Sequence, residues 1–115
     1  MSDSLERTPF MIDLNDAVVG TMLDRIILRH SDDAQGANME GETVLLALST
    51  GRYYTLNRVG SIIWEHCTGH NTVRDIHAKL CEGFEIAPER ALDDLITLIN
   101  ELVQEGLLQQ EVKQP

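Results

Sequence analysis

Four side chains have the donor chemistry to hold a transition metal, and they fall into two pairs: Cys67-x2-His70 and His77-x3-Cys81. The second pair lies one turn apart on a predicted helix, so both donors share a face, and zinc favours such mixed nitrogen and sulfur sets. The pairs nevertheless sit on different predicted elements, in an order that matches no zinc module. A lone helical cysteine commonly serves as a small apolar residue. His66 and Cys67 are neighbours near a helix end, and adjacency of that kind does not aim an imidazole at a thiol. The chain has no glycine-rich phosphate loop and no serine elbow. The expectation is therefore no catalytic residue, no metal site and no cofactor.

Main-chain chemistry is the stronger candidate. Arg52-Tyr53-Tyr54-Thr55-Leu56 reads as a strand that ends a meander, with no Pro or Lys and its one charge at the start. Sheet edges are normally guarded by such residues, by bulges or by extreme shortness. An unguarded edge offers N–H and C=O groups to an extended peptide, unless the N-terminal arm or a second subunit fills it.

The elements that position this strand follow from periodicity. Arg25 to His30 is aliphatic and β-branched and reads as a first strand; Ser31 to Gly41, polar and small, reads as a loop; and Glu42 to Leu48 is a second strand. Ser49-Thr50-Gly51 turns the chain into the 52–56 strand, making a hairpin, and the first two strands are expected to pair more loosely. After Leu56 the apolar period lengthens to that of a helix. Asn57 caps a helix running to about Cys67, and Thr68 to Asn71 breaks it. Thr72 with Asp75 forms a capping box for a second helix, which buries Val73, Ile76 and Leu80 and ends at Gly83. Pro88 opens a third, from Glu89 to Glu105, closed by Gly106. Its stripes Leu92-Ile96-Ile99-Val103 and Ala91-Leu95-Leu98-Leu102 make a broad apolar face. That face suits a fully packed central helix, or a helix with one edge lining a groove.

At 115 residues with 43% hydrophobic and 24% charged content, the chain has the length of one domain and the composition of a globular protein. No apolar run reaches the ~20 residues of a membrane span, and the first ten residues do not read as a signal peptide. Two cysteines and no export signal point to a reducing cytoplasm. Nineteen acids against nine bases give a net charge of −10. The polar positions of the third helix hold five acids and one base, so the helix that a winged-helix protein would place in the major groove repels phosphate. Neither nucleic acid nor membrane is an expected partner.

Tyr54-Thr55-Leu56-Asn57 running into Gly60-Ser61-Ile62-Ile63-Trp64-Glu65 resembles the strand, Leu-Asn, helix junction of PqqD-like proteins, the precursor-peptide recognition domains of ribosomal peptide modification. Gly69 to Ile76 is similar to that family's turn, Thr-Val cap and helix. Asp94-Leu95-x2-Leu98-x3-Leu102-x3-Gly106-Leu107 is similar to its last helix and Gly-Leu ending. The resemblance spans residues 22–109, preceded by an arm (1–21) and followed by a tail (110–115).

The resemblance implies an α+β, winged-helix-like fold, a three-stranded antiparallel sheet followed by three helices. It also implies a non-catalytic peptide chaperone. The leader of a precursor peptide would lie antiparallel along the third strand, beside the third helix, for presentation to a radical-SAM enzyme of quinone-cofactor synthesis or a leader protease of lasso-peptide synthesis. By position, Arg52, Tyr53, Tyr54, Thr55 and Leu56 form the docking edge, and Leu92, Leu95, Ile96 and Ile99 the opposing wall. Asp94 either meets a basic leader residue or makes a surface salt bridge. Asn57 is a cap and Trp64 a core residue. The arm and the 31–41 loop are longer than the family domain requires, leaving a homodimer or an arm-covered edge open, and Ala87 stands where a better cap would sit. The alternative from another class is an acidic winged-helix-like interaction subunit, such as a transcription-associated one, that binds a basic protein and no DNA.

Overall fold

A computed structural model describes residues 23–112. Among them are six strands, β1 (Ile26–His30), β2 (Ala34–Met39), β3 (Glu42–Ala47), β4 (Arg52–Leu56), β5 (Thr68–Thr72) and β6 (Leu108–Val112), and three helices, α1 (Arg58–Glu65), α2 (Val73–Gly83) and α3 (Pro88–Gln104). The α+β class and the three helices agree with the sequence reading. A three-stranded antiparallel sheet is present as expected, but there are two of them, β5-β1-β6 and β2-β3-β4. The expected arm (1–21) lies outside the described residues, and β6 runs past the expected boundary at 109.

Two corrections concern the strands. Residues 31–41 are not a loop: Ala34 to Met39 pairs in register with β3, from Ala34↔Ala47 to Met39↔Glu42. A two-residue turn joins them, with Glu40 at φ 57° and Gly41 at φ 89°, the positive pair that matches hairpin twist. The strand was invisible as a pattern because it is exposed from Gln35 onward, so no buried face imposes alternation on its residues. β1, in turn, pairs with neither β2 nor β3. It is the centre of the other sheet, between β5 and β6, which places Leu28 at 0% exposure in the core.

The helices follow their caps. Asn57 accepts from the Gly60 amide at 2.8 Å to start α1. Thr72 and Asp75 exchange reciprocal bonds of 3.1 and 2.9 Å to start α2. Ala87 makes no side-chain cap for α3, where Pro88 at the first helical position removes one donor that would need a partner. Past the end of α3, Gly106 adopts φ 78°, and the Leu107 and Gly106 amides bond the Leu102 and Val103 carbonyls, a left-handed cap that turns the chain into β6.

The core joins both sheets to the helices through Leu28, Leu45, Ile63, Ile76, Leu80, Leu95, Ile99 and Leu107. Trp64 is buried, as expected, under a stacked His30 ring at 3.7 Å whose Nε2 donates to the Trp64 carbonyl at 2.7 Å. Asp33 pins the β3–β4 turn, its carboxylate accepting from the Ser49 amide and hydroxyl, both at 2.9 Å. That clamp fixes where β4 begins.

Candidate functional site

β4 is the terminal strand of its sheet, paired on one side with β3 from Ala47↔Arg52 to Thr43↔Leu56. Among the described residues nothing pairs with its other side. Every second residue of such a strand turns its N–H and C=O outward. Side chains alternate as well: Leu56 is buried and Tyr54 half-buried on the inner face, while Tyr53 at 71% exposure and Thr55 point away.

Beside the end of β4 lies a cleft of about 380 Å³. Thr55, Leu56 and Asn57 form its strand side and Val59, Gly60 and Ile63 of α1 its floor. Asp94, Thr97, Leu98 and Glu101 of α3 form the facing wall. Gly60 keeps the floor low: a β-carbon there would stand 3.2 Å from the Leu56 β-carbon and 3.4 Å from Leu98 Cδ2. A smaller depression of about 290 Å³, lined by Glu85, Ile86, Ala87, Arg90 and Asp94, adjoins the cleft through Asp94.

At the other end of β4 the strand is tied to the end of α3. Tyr54 Oη donates to Glu105 Oε1 at 2.5 Å, and Arg52 Nη1 reaches the same oxygen at 3.5 Å. The Arg52 guanidinium also lies 5.7 Å from the Tyr54 ring centroid. The hydrogen bond to Glu105 raises the Tyr54 hydroxyl above its ordinary pKa, because the neutral phenol is the form that donates. β4 and α3 therefore run antiparallel, Leu56 beside the middle of α3 and Arg52 beside its C-terminus. The helix from Asp94 to Glu105 rises roughly 16 Å and five strand residues span about the same length.

The expected docking edge, Arg52 to Leu56, thus lies at a sheet margin beside α3. The expected wall is corrected. Leu95, Ile96 and Ile99 are 0–2% exposed and belong to the core, and Leu92 packs half-buried against that core outside the cleft. The wall is the row one helical step away, Asp94, Thr97, Leu98 and Glu101, of which the sequence reading named Asp94. That row is polar at Asp94, Thr97 and Glu101, and Leu98 is its one member from an expected apolar stripe. Asp94 also makes the helix-surface pair, with Arg90 at 3.8 Å.

The thiol and imidazole groups are dispersed. Cys67 is buried, its thiol donates to the Ile63 carbonyl at 3.1 Å, and burial pushes its pKa up to about 12. His66 Nδ1 donates to its own helix at the Ile62 carbonyl. His77 Nε2 donates to the Pro88 carbonyl at 2.8 Å and lies 3.6 Å from Cys81 Sγ. Among the described residues no three or more His, Cys, Asp or Glu side chains converge as metal ligands.

The family described as coenzyme PQQ synthesis protein D (PqqD) matches residues 42–108, more than half of the chain, from β3 through the start of β6. The chain belongs to the PqqD family. The matched span of this PqqD-family chain holds β4, the cleft and α3 together. The chain is similar in structure to TbiB1 solved in complex with the TbiA(beta) leader peptide, with a TM-score of 0.65 and 30% identity over 70% of this chain and 94% of that one. It also shares its fold with a lasso peptide synthetase B1 solved with its leader peptide, at a TM-score of 0.64 and 22% identity over 71% and 96% of the two chains. No curated protein sequence matches it significantly. Among the described residues no helix of this PqqD-family chain is long and apolar enough to cross a membrane.

Proposed function

We propose that this chain is a non-catalytic recognition protein for the leader of a ribosomally made precursor peptide. The leader adds as a strand to the free margin of β4 and lies in the channel against α3. The bound leader is then held for a modifying enzyme, a radical-SAM protein or a leader protease. The observation that carries this reading is the unpaired side of β4 directly beside the cleft that opens between its end and α3. Its support from similarity is the 30%-identical TbiB1, solved with a leader peptide.

The chemistry fits a holder. Main-chain pairing supplies affinity with little regard to sequence, and the cleft selects among alternate side chains. Ordering a disordered leader costs about 2–5 kcal/mol of the gross interaction energy, so a net affinity near micromolar, about −8 kcal/mol, is expected.

The test is to pan a phage-displayed random 12-mer peptide library against the full chain, then titrate synthetic copies of the recovered peptides and follow their mass. Recovered peptides are expected to bind at about micromolar affinity and to keep their mass after incubation with the chain alone. Failure to recover any peptide overturns the docking role, and a covalent change made by the chain alone overturns the non-catalytic one.

A further inference from the structure

The charges around the cleft are unevenly matched. At the β4 start, Glu105 already has Arg52 and the Tyr54 hydroxyl. At the β4 end, Asp94 has only Arg90 at 3.8 Å, through an Arg side chain that is 77% exposed. Glu101 makes no ion pair among the described residues. No basic residue lines the cleft, and its floor and one wall position (Val59, Ile63 and Leu98) are apolar. A channel that is apolar below and negative at one side, in a chain of net charge −10, fits a side chain with an aliphatic stem and a cationic head.

Building on peptide docking at β4, we propose that the docked segment is selected for a Lys or Arg that enters this cleft. Its methylenes cover Val59, Ile63 and Leu98, and its charged head meets Asp94 and Glu101. The partner is thus a basic extended peptide, and an acidic residue at the same register is rejected by repulsion rather than by shape. Arg90 yields Asp94 readily, because an exposed i,i+4 pair is weakly held.

The experiment is a parallel panning of the random 12-mer library against the full wild-type chain, an Asp94→Asn/Glu101→Gln variant and an Asp93→Asn control. Asp93 is exposed on α3 but does not line the cleft. Both cleft acids are exposed, so circular dichroism is expected to superimpose for all three chains. Wild type and control are expected to enrich peptides with Lys or Arg at one fixed spacing from an apolar residue, and the double variant is expected to lose that enrichment. A recovered peptide whose basic residue is changed to Gln is expected to bind about three- to tenfold more weakly to wild type, and equally to the double variant. Raising the salt should shrink the difference. Peptides that protect the β4 amides from exchange but show no basic preference overturn this inference and leave docking intact. Peptides that leave β4 unprotected, or no recovered peptides, overturn both.

Discussion

The Tyr54 hydroxyl donates to Glu105 Oε1 at 2.5 Å, joining the middle of an edge strand to the C-terminal cap of the longest described helix. This bond sets the width of one end of the channel. Because the phenol is the donor, its pKa is raised, and the stabilising contribution is fully present below the ordinary value of 10.0 and lost as pH rises through the folded value. Glu105→Gln removes the carboxylate that raises it. Ultraviolet titration of tyrosinate should therefore show one tyrosine returning toward 10.0 in the variant. An unchanged titration would contradict the pairing.

Proline separates the two roles of the β4 backbone. Adjacent residues of an edge strand alternate between bonding the neighbouring strand and facing outward. Of Tyr54→Pro and Thr55→Pro, one removes a ladder donor and lowers stability, and the other removes only an outward donor. The variant with the smaller loss of stability in urea is expected to lose peptide binding. Full binding by that folded variant would count against strand addition.

Leu95 and Leu98 lie three residues apart on α3 and should respond in opposite ways. Leu95 is fully buried, so Leu95→Ala is expected to cost about 2–5 kcal/mol in urea unfolding. Leu98 lines the cleft and is half-buried, so Leu98→Ser should weaken peptide binding with a smaller loss of stability. Equal stability losses would place Leu98 in the core as well.

Gly60→Ala tests the cleft floor. Alanine favours a helix by about 1 kcal/mol over glycine, but the added methyl meets the Leu56 β-carbon at 3.2 Å and Leu98 Cδ2 at 3.4 Å. The unfolding midpoint is expected to move little while peptide affinity falls about three- to tenfold. Unaltered affinity would mean that bound peptide does not reach the floor.

The burial that pushes the Cys67 thiol up to about 12 makes it inert at neutral pH. A thiol reagent at pH 8 should label Cys81 in the native chain and both cysteines in denaturant. Native labelling of Cys67 would show that the core around Ile63 opens readily.

Local rules reached the helices and β4 but only half of the sheet arrangement. Asn57, the Thr72–Asp75 box, Pro88 and Gly106 are short-range signals, and each marks a helix end where expected. β2 carries no alternation because it is exposed, and β5 and β6 are short and polar at most positions. The pairing of β1 was illegible for a different reason: neighbours in sequence usually pair, yet β1 meets strands about 40 and 80 residues away. On α3 two apolar stripes of similar width compete for the core, and periodicity cannot say which outer row faces β4. The Tyr54–Glu105 bond and the cleft lining settle it as Asp94, Thr97, Leu98 and Glu101.

Amide hydrogen exchange across residues 52–56, in the full chain with and without a panned peptide, reads the β4 margin itself. Alternate amides are expected to exchange rapidly in the free chain and to become protected when the peptide binds, with β2 unchanged. Protection of all five amides before any peptide is added, or bound peptide that leaves them exchanging as before, would contradict a free margin that accepts a guest strand.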